Sequence, residues 1–482
     1  MYASDLTALG AVDLSQLIHS RQVTCVQVMA TFLERIDALN PIYNAIILRQ
    51  DHDALIGAAQ VCDQELAHGS SRGWLHGIPM AIKDTANVAG MPTTLGHAAL
   101  TSNVVSQDSP MVARLRAAGA LFIGKTNIPE FALGSHTFNG VFGTTLNAYN
   151  PKMSAGGSSG GAASALALRM LPGADGSDFM GSLRNPAAWN NVFGMRPSQG
   201  LVPFAPGADV WLDQLGTEGP MARHVRDVRA LLLTQSGYDE GRPLSWSLVN
   251  KDLVHQPMKD LSQVRVGWLG DLNGHLAIEN GILEACEAGL DHLRAAGAQI
   301  EKMSLPLNWN DTWKAWLIWR SALVGSKVKA VMQIRGAAEL TKPEALWEVA
   351  QSEKYSLQDL LWASAVRTQL YNGLRQALQT VDVLVLPSAQ VWAFGVEKRW
   401  PEHIGERVMD TYHRWMEATI YATFAGLPAI SLPVGFHSQA RTGMGMQCIG
   451  KPRGDLKLLD ISEIYEKNIT YLLDIYPNTG LN

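Results

Sequence analysis

Charge is scarce in this chain: Asp, Glu, Lys and Arg make up 17% of its 482 residues, and the formal net charge is −5. Nothing in that balance marks a nucleic-acid binder. Cysteine is scarcer still. Cys25, Cys62, Cys286 and Cys448 are widely scattered, with no CxxC pair and no cysteine–histidine cluster at zinc spacing, so a disulfide framework and a structural zinc site are both excluded and buried, reduced thiols are expected. No run reaches the roughly 18 apolar residues that suggest a membrane helix, and residues 1–22 lack the basic start and continuous apolar stretch of a secretory signal. Internal repeats and low-complexity segments are also missing. These absences predict a cytoplasmic protein with neither a membrane nor a nucleic-acid partner.

What is present is apolar residue in quantity, 47% of the chain, enough for a large core. Asp13 and Thr24 read as N-caps of helices over 13–22 and 24–40, with Pro41 closing the second. A third helical pattern covers 52–68. Helix and strand then alternate: strand 78–82, helix 110–118, strand 120–123, helix 160–169. That alternation argues for an α/β protein with a largely parallel sheet. The polar, proline-punctuated stretch 239–256 reads as a long connection. A strand at 264–268, a helix at 278–296, a mostly helical stretch at 311–380 and strands at 381–386, 429–432 and 444–449 follow.

Two glycine-serine turns carry the chemistry, Gly156-Gly157-Ser158-Ser159-Gly160-Gly161 and Gly181-Ser182-Leu183-Arg184-Asn185-Pro186. Upstream, Gly77-Ile78-Pro79-Met80-Ala81-Ile82-Lys83-Asp84 puts a lysine at the end of an apolar strand, where burial lowers its pKa and makes it a base. Two serines and a neutral lysine suffice for acyl transfer. Three competing patterns fail on context. Gly119 to Thr126 spells a phosphate-binding loop, but its Ala120-Leu121-Phe122-Ile123 run is strand-like where a loop is required. Gly157-Ser158-Ser159-Gly160-Gly161 fits a nucleophile elbow centred on Ser159, yet no strand precedes it. Ser326-Lys327-Val328-Lys329 has no companion motif and reads as a helix with solvated lysines.

Most of the chain, as far as Gly426-Leu427-Pro428-Ala429-Ile430-Ser431-Leu432-Pro433, resembles the amidase signature enzymes. The resemblance implies one domain over 1–482, α/β with a mixed central sheet flanked on both sides by helices. Its parts are a helical start to about 70, a catalytic core over about 71–235, a variable substrate-shaping region over about 305–380 and returning strands over about 381–450. It implies a Ser-cisSer-Lys triad: Ser182 as nucleophile, Ser158 on a cis peptide as proton relay, Lys83 as base. Backbone N–H groups of Phe179, Met180, Gly181 and Ser182 would form the oxyanion hole, with Ser177, Asp178, Arg184 and Ser159 in support. No metal or other cofactor is needed.

Two departures from the family pattern stand out. Met180 occupies a position where the family usually has glycine, which points to a narrowed pocket and a role in substrate choice. The link from Pro151 to Gly156 is short, which alters one wall of the cleft. Trp309, Trp313, Trp316 and Trp319 recur at helical spacing, either as core or as an apolar wall in which Trp316 and Trp319 would touch substrate. The wording from Met180 to Pro197 is similar to a branch with cyclic-amide hydrolases. The expected activity is hydrolysis of an apolar acyl, aryl, cyclic or oligomeric amide through a serine acyl-enzyme. The alternatives are a carbamate, ester or aryl-acylamide hydrolase with the same triad, or a glutamine-dependent amidotransferase subunit that requires a partner. A homodimer is left open.

Overall fold

The computed structural model describes residues 3–204, 209–249 and 258–480, so residues 250–256 of the expected connection lie outside the described residues. Helix α1 (Cys25–Tyr43) starts at Thr24, whose hydroxyl accepts the Gln27 N–H while the Gln27 side chain accepts the Thr24 N–H. It runs past Pro41 and stops at Asn44, which takes a left-handed conformation. The proline therefore sits inside the last turn instead of closing the helix. Asp13 likewise lies in the first turn of a helix over Ala11–His19 rather than capping it. Helix α2 (His52–Ala67) follows its expected bounds, capped by the Asp51 carboxylate.

Strands β1 (Ile46–Ile47), β2 (Pro79–Lys83) and β3 (Leu121–Thr126) form a small sheet in which β2 and β3 run parallel. The main sheet has eight strands: β4 (Ala174–Asp178), β5 (Phe193–Arg196), β6 (Thr217–Ala222), β7 (Arg265–Trp268), β8 (Gln299–Lys302), β9 (Val383–Pro387), β10 (Ala429–Phe436) and β11 (Gly443–Gly450), in the order β8-β7-β9-β11-β10-β5-β6-β4. Only β8, β7 and β9 pair in parallel; every other neighbour pair in it is antiparallel. The sheet is mixed, and the largely parallel arrangement argued from alternation is corrected. One of the antiparallel pairings has a local cause: β10 and β11 are joined by a short turn and pair as a hairpin, and such a connection only permits antiparallel strands. Helix α3 (Gly160–Ala167) and helix α4 (Arg184–Trp189) begin directly after the two glycine-serine turns. The 311–380 stretch resolves into α5 (Trp309–Met332), α6 (Pro343–Ser352) and α7 (Leu357–Thr380).

Candidate active site

Lys83 ends β2 with its side chain fully buried. Its Nζ lies 2.7 Å from Ser158 Oγ, 2.8 Å from Ser159 Oγ and 3.2 Å from the Ser177 carbonyl. The Gly157–Ser158 peptide is cis. Among the described residues no carboxylate pairs with that amine directly. Burial disfavours its charged form and brings its pKa down to about 7, although Asp175, Asp178 and Glu218 pull the other way. Near physiological pH a large share of this amine is therefore uncharged.

Two acids that the sequence patterns did not reveal lie beneath this lysine. Asp175 on β4 accepts the Lys83 backbone N–H at 3.1 and 3.2 Å, tying β2 to the main sheet. Burial raises its pKa to about 6 despite that bond and the nearby lysines. Glu218 stands on β6 opposite Ser177, and neither of its carboxyl oxygens has a hydrogen-bond partner among the described residues. Burial first, and then the Asp175 charge, push it up to about 8. The signal for both was faint: single acids among small residues, in Ala174-Asp175-Gly176 and Thr217-Glu218-Gly219.

Ser182 sits on the turn between β4 and α4. Gly181 has φ +81°, and a Cβ there would lie 2.6 Å from Thr419 Cγ2, so only glycine fits. Asp178 clamps the turn, accepting the Gly181 N–H at 2.9 Å and the Leu183 N–H at 3.2 Å while Arg184 binds it with two 2.9 Å bonds. Arg184 also donates to Gln447 and Thr423, and Arg196 donates to the Asp178 carbonyl. The Asp178–Arg184 pair is wholly buried. Burial alone would raise the Asp178 pKa, but the charge and hydrogen bonds of Arg184, with Arg196 behind them, outweigh it and hold the value at about 2.

The clamp changes one expectation. The Gly181 N–H already has an acceptor, whereas those of Phe179, Met180 and Ser182 have none among the described residues. It also makes the pair a stability determinant. Arg184→Met should lower the unfolding free energy by roughly 3 kcal/mol, because it removes the bidentate partner of a buried carboxylate and leaves it only Arg196, 3.7 Å away, and two backbone N–H bonds. With Asp178 at about 2 against an ordinary 3.8, the wild-type contribution is complete above about pH 4 and is lost as pH falls toward 2. Urea titrations of both proteins between pH 3 and pH 7 check this; equal midpoints throughout would refute it.

Ser158, Ser177 and Ser182 open onto a cavity of about 300 Å³ together with Phe179 and Met180. Ser159 does not line it: that hydroxyl is fully buried behind Lys83, and no strand precedes it, so the elbow pattern has no structural counterpart. Trp316 and Trp319 do not line it either, which corrects the pocket expectation. Trp316 is completely buried against Phe179 and Phe424, and Trp319 packs under the Arg367 guanidinium. These large rings pack in the core one layer behind the wall, although neither indole N–H finds an acceptor among the described residues. From α5 the cavity instead receives Arg320, Val324, Lys327, Val328 and Val331. The phosphate-loop reading also ends here, since Lys125 is a buried β3 residue bonded to the Ala86 carbonyl. In the Ser326–Lys329 stretch the serine bonds helix carbonyls, and exposed Lys329 pairs with Glu353.

With this geometry established, the amidase family profile matches residues 27–459. The chain belongs to the amidase signature family. This amidase is accordingly an amide-hydrolysing enzyme with the fold that the motifs implied. It is 31% identical over 478 residues to a glutamyl-tRNA(Gln) amidotransferase subunit of Thermosynechococcus vestitus, covering 94% of this chain and 97% of the relative. A bacterial aryl acylamidase of the amidase signature enzymes superimposes with a TM-score of 0.89 at 24% identity, covering 96% and 97% of the two chains. A 6-aminohexanoate cyclic dimer hydrolase superimposes at 0.85 and 22% identity, covering 99% and 100%. The last two show a shared fold. No helix among the described residues is long and apolar enough to cross a membrane.

Proposed function

We propose that this amidase hydrolyses the amide of an apolar acyl or aryl compound, with Ser182 as nucleophile, Ser158 as relay and Lys83 as base. The observation that carries the reading is the 2.7 Å contact between a buried, easily neutralised amine and a serine hydroxyl that opens onto the same cavity as Ser182. Ser182 Oγ bonds to the carbonyl carbon as its proton passes to Ser158 Oγ and the Ser158 proton passes to Lys83 Nζ. The carbonyl oxygen takes negative charge facing the free N–H groups of Phe179, Met180 and Ser182. Collapse breaks the C–N bond, and the amine leaves with the proton returned through Ser158. Water then cleaves the acyl-enzyme by the same route.

Apolar side chains dominate the cavity, including Leu95, Phe131, Leu133, Phe204 and Met416, which supports an apolar substrate. A second reading, in which the chain releases ammonia from glutamine and works with a partner, is favoured by the name its curated relative carries. An assay of glutamine against a panel of alkyl and aryl amides separates the two; faster release from glutamine, or activity only with an added partner protein, would overturn the first. Met180 narrows the acyl space, so Met180→Gly should raise kcat/KM for bulky amides over small ones by roughly tenfold. Unchanged ratios across the panel would remove Met180 from substrate choice.

A further inference from the structure

Arg320 is an element of the cavity wall whose chemistry the hydrolytic reaction does not use. Its side chain is only 3% exposed. Nε donates to Glu348 Oε1 at 2.6 Å and Nη2 donates to Tyr412 Oη at 2.6 Å, while Tyr412 in turn donates to Glu348 Oε1 at 2.7 Å. The guanidinium is thus held rigidly from behind by α6 and by the segment before the Arg414–Thr419 turn. Nη1 is different. Among the described residues its one acceptor is the Met180 thioether sulfur at 3.8 Å, the weakest acceptor a side chain offers, and a guanidinium nitrogen of this kind carries two N–H groups. A buried cation with an unfilled donor, on the wall of the substrate cavity and beside the residue next to the nucleophile turn, is a fixed hydrogen-bond donor awaiting an oxygen.

The charges around it decide what kind of oxygen. Glu348 already neutralises Arg320, and its second oxygen, buried and without a partner among the described residues, would repel an incoming anion. The other charged pair on the cavity wall, Lys327 with Asp213 at 2.6 Å, is also self-compensated. We propose that Arg320 selects the substrate by donating from Nη1 to a neutral carbonyl oxygen, so that the preferred substrates are apolar amides carrying a second carbonyl group apart from the scissile one. This rests on the proposed amide-hydrolase reading for its substrate, but the binding itself does not depend on turnover. Arg320 is a specificity residue that touches substrate, and Glu348 and Tyr412 are positioning residues.

The test is a carbonyl scan. Linear amides from hexanamide to decanamide are compared with analogues in which one chain methylene at a time is replaced by a carbonyl, and binding to Ser182→Ala is measured by calorimetry. One position of the added carbonyl should bind at least about tenfold tighter than the all-carbon parent, as expected for a hydrogen bond to a charged donor, while other positions bind more weakly. In the background Arg320→Met with Glu348→Met, which removes both charges together and keeps similar bulk, that maximum should vanish. Absence of any favoured position, a maximum that survives in the double variant, or tighter binding of the matching carboxylate would each overturn the proposal. If the favoured position appears but the wild type hydrolyses none of the series, the hydrolase reading fails and the assignment of Arg320 stands.

Discussion

Ser182→Ala is expected to lower kcat by roughly 10⁴- to 10⁶-fold, the loss seen when a nucleophile that acts as part of a unit is removed. The folded protein should be unaffected, since the substitution deletes one hydroxyl that opens onto a cavity and leaves the Asp178 clamp on the turn intact. A fluorophosphonate probe should label the wild type and fail to label the variant, with thermal melting curves that superimpose. Labelling that persists would move the attack to another hydroxyl. Ser159 is poorly placed for that part, being fully buried and outside the cavity.

Lys83→Met should cost roughly 10²- to 10⁴-fold in kcat/KM, the usual contribution of a positioned base. The more telling readout is pH. Because burial sets the amine at about 7, the wild-type rate should rise with pH through a single ionisation near that value and level off above it, as the fraction of neutral lysine saturates. The sign follows from which form works: protonated Lys83 cannot accept the Ser158 proton, so acid removes activity. The Met variant should lose that limb altogether. A wild-type profile flat between pH 5.5 and 8.5, or a limb that remains in the variant, would exclude Lys83 as the base.

Lys83, Ser158 and Ser182 were legible as candidates because each lies on a short stretch whose local geometry is written in residue type, an apolar strand ending in lysine and two glycine-rich turns, while the roles given to them came from the resemblance to the amidase signature enzymes. The strands beneath them were not. β4 reads Ala-Asp-Gly-Ser-Asp and β6 reads Thr-Glu-Gly-Pro-Met-Ala, and both are buried throughout, so neither shows the alternation that marks a half-exposed strand. Asp175 and Glu218 went unseen with them. On α5 the difficulty was the reverse. Around its middle, Trp316, Trp319, Arg320, Leu323 and Val324 are all buried, so periodicity could not separate the side facing core from the side facing cavity. The tryptophans drew attention, and the arginine next to them holds the wall. The cis peptide at Ser158 came from the family pattern, since a peptide isomer leaves no mark in sequence.

The Arg184 bonds to Gln447 and Thr423 have a consequence during biosynthesis. The partner at Gln447 is 263 residues further along the chain, and β5 takes its place in the sheet beside β10. At roughly 5–20 residues per second, a ribosome needs on the order of tens of seconds between completing the nucleophile turn and supplying its last anchor. Throughout that interval Arg184 lacks its Gln447 partner, while the Asp178 clamp and the residues around Lys83 have already been made. The buried Arg184 cluster is therefore completed only late in translation, with the C-terminal hairpin.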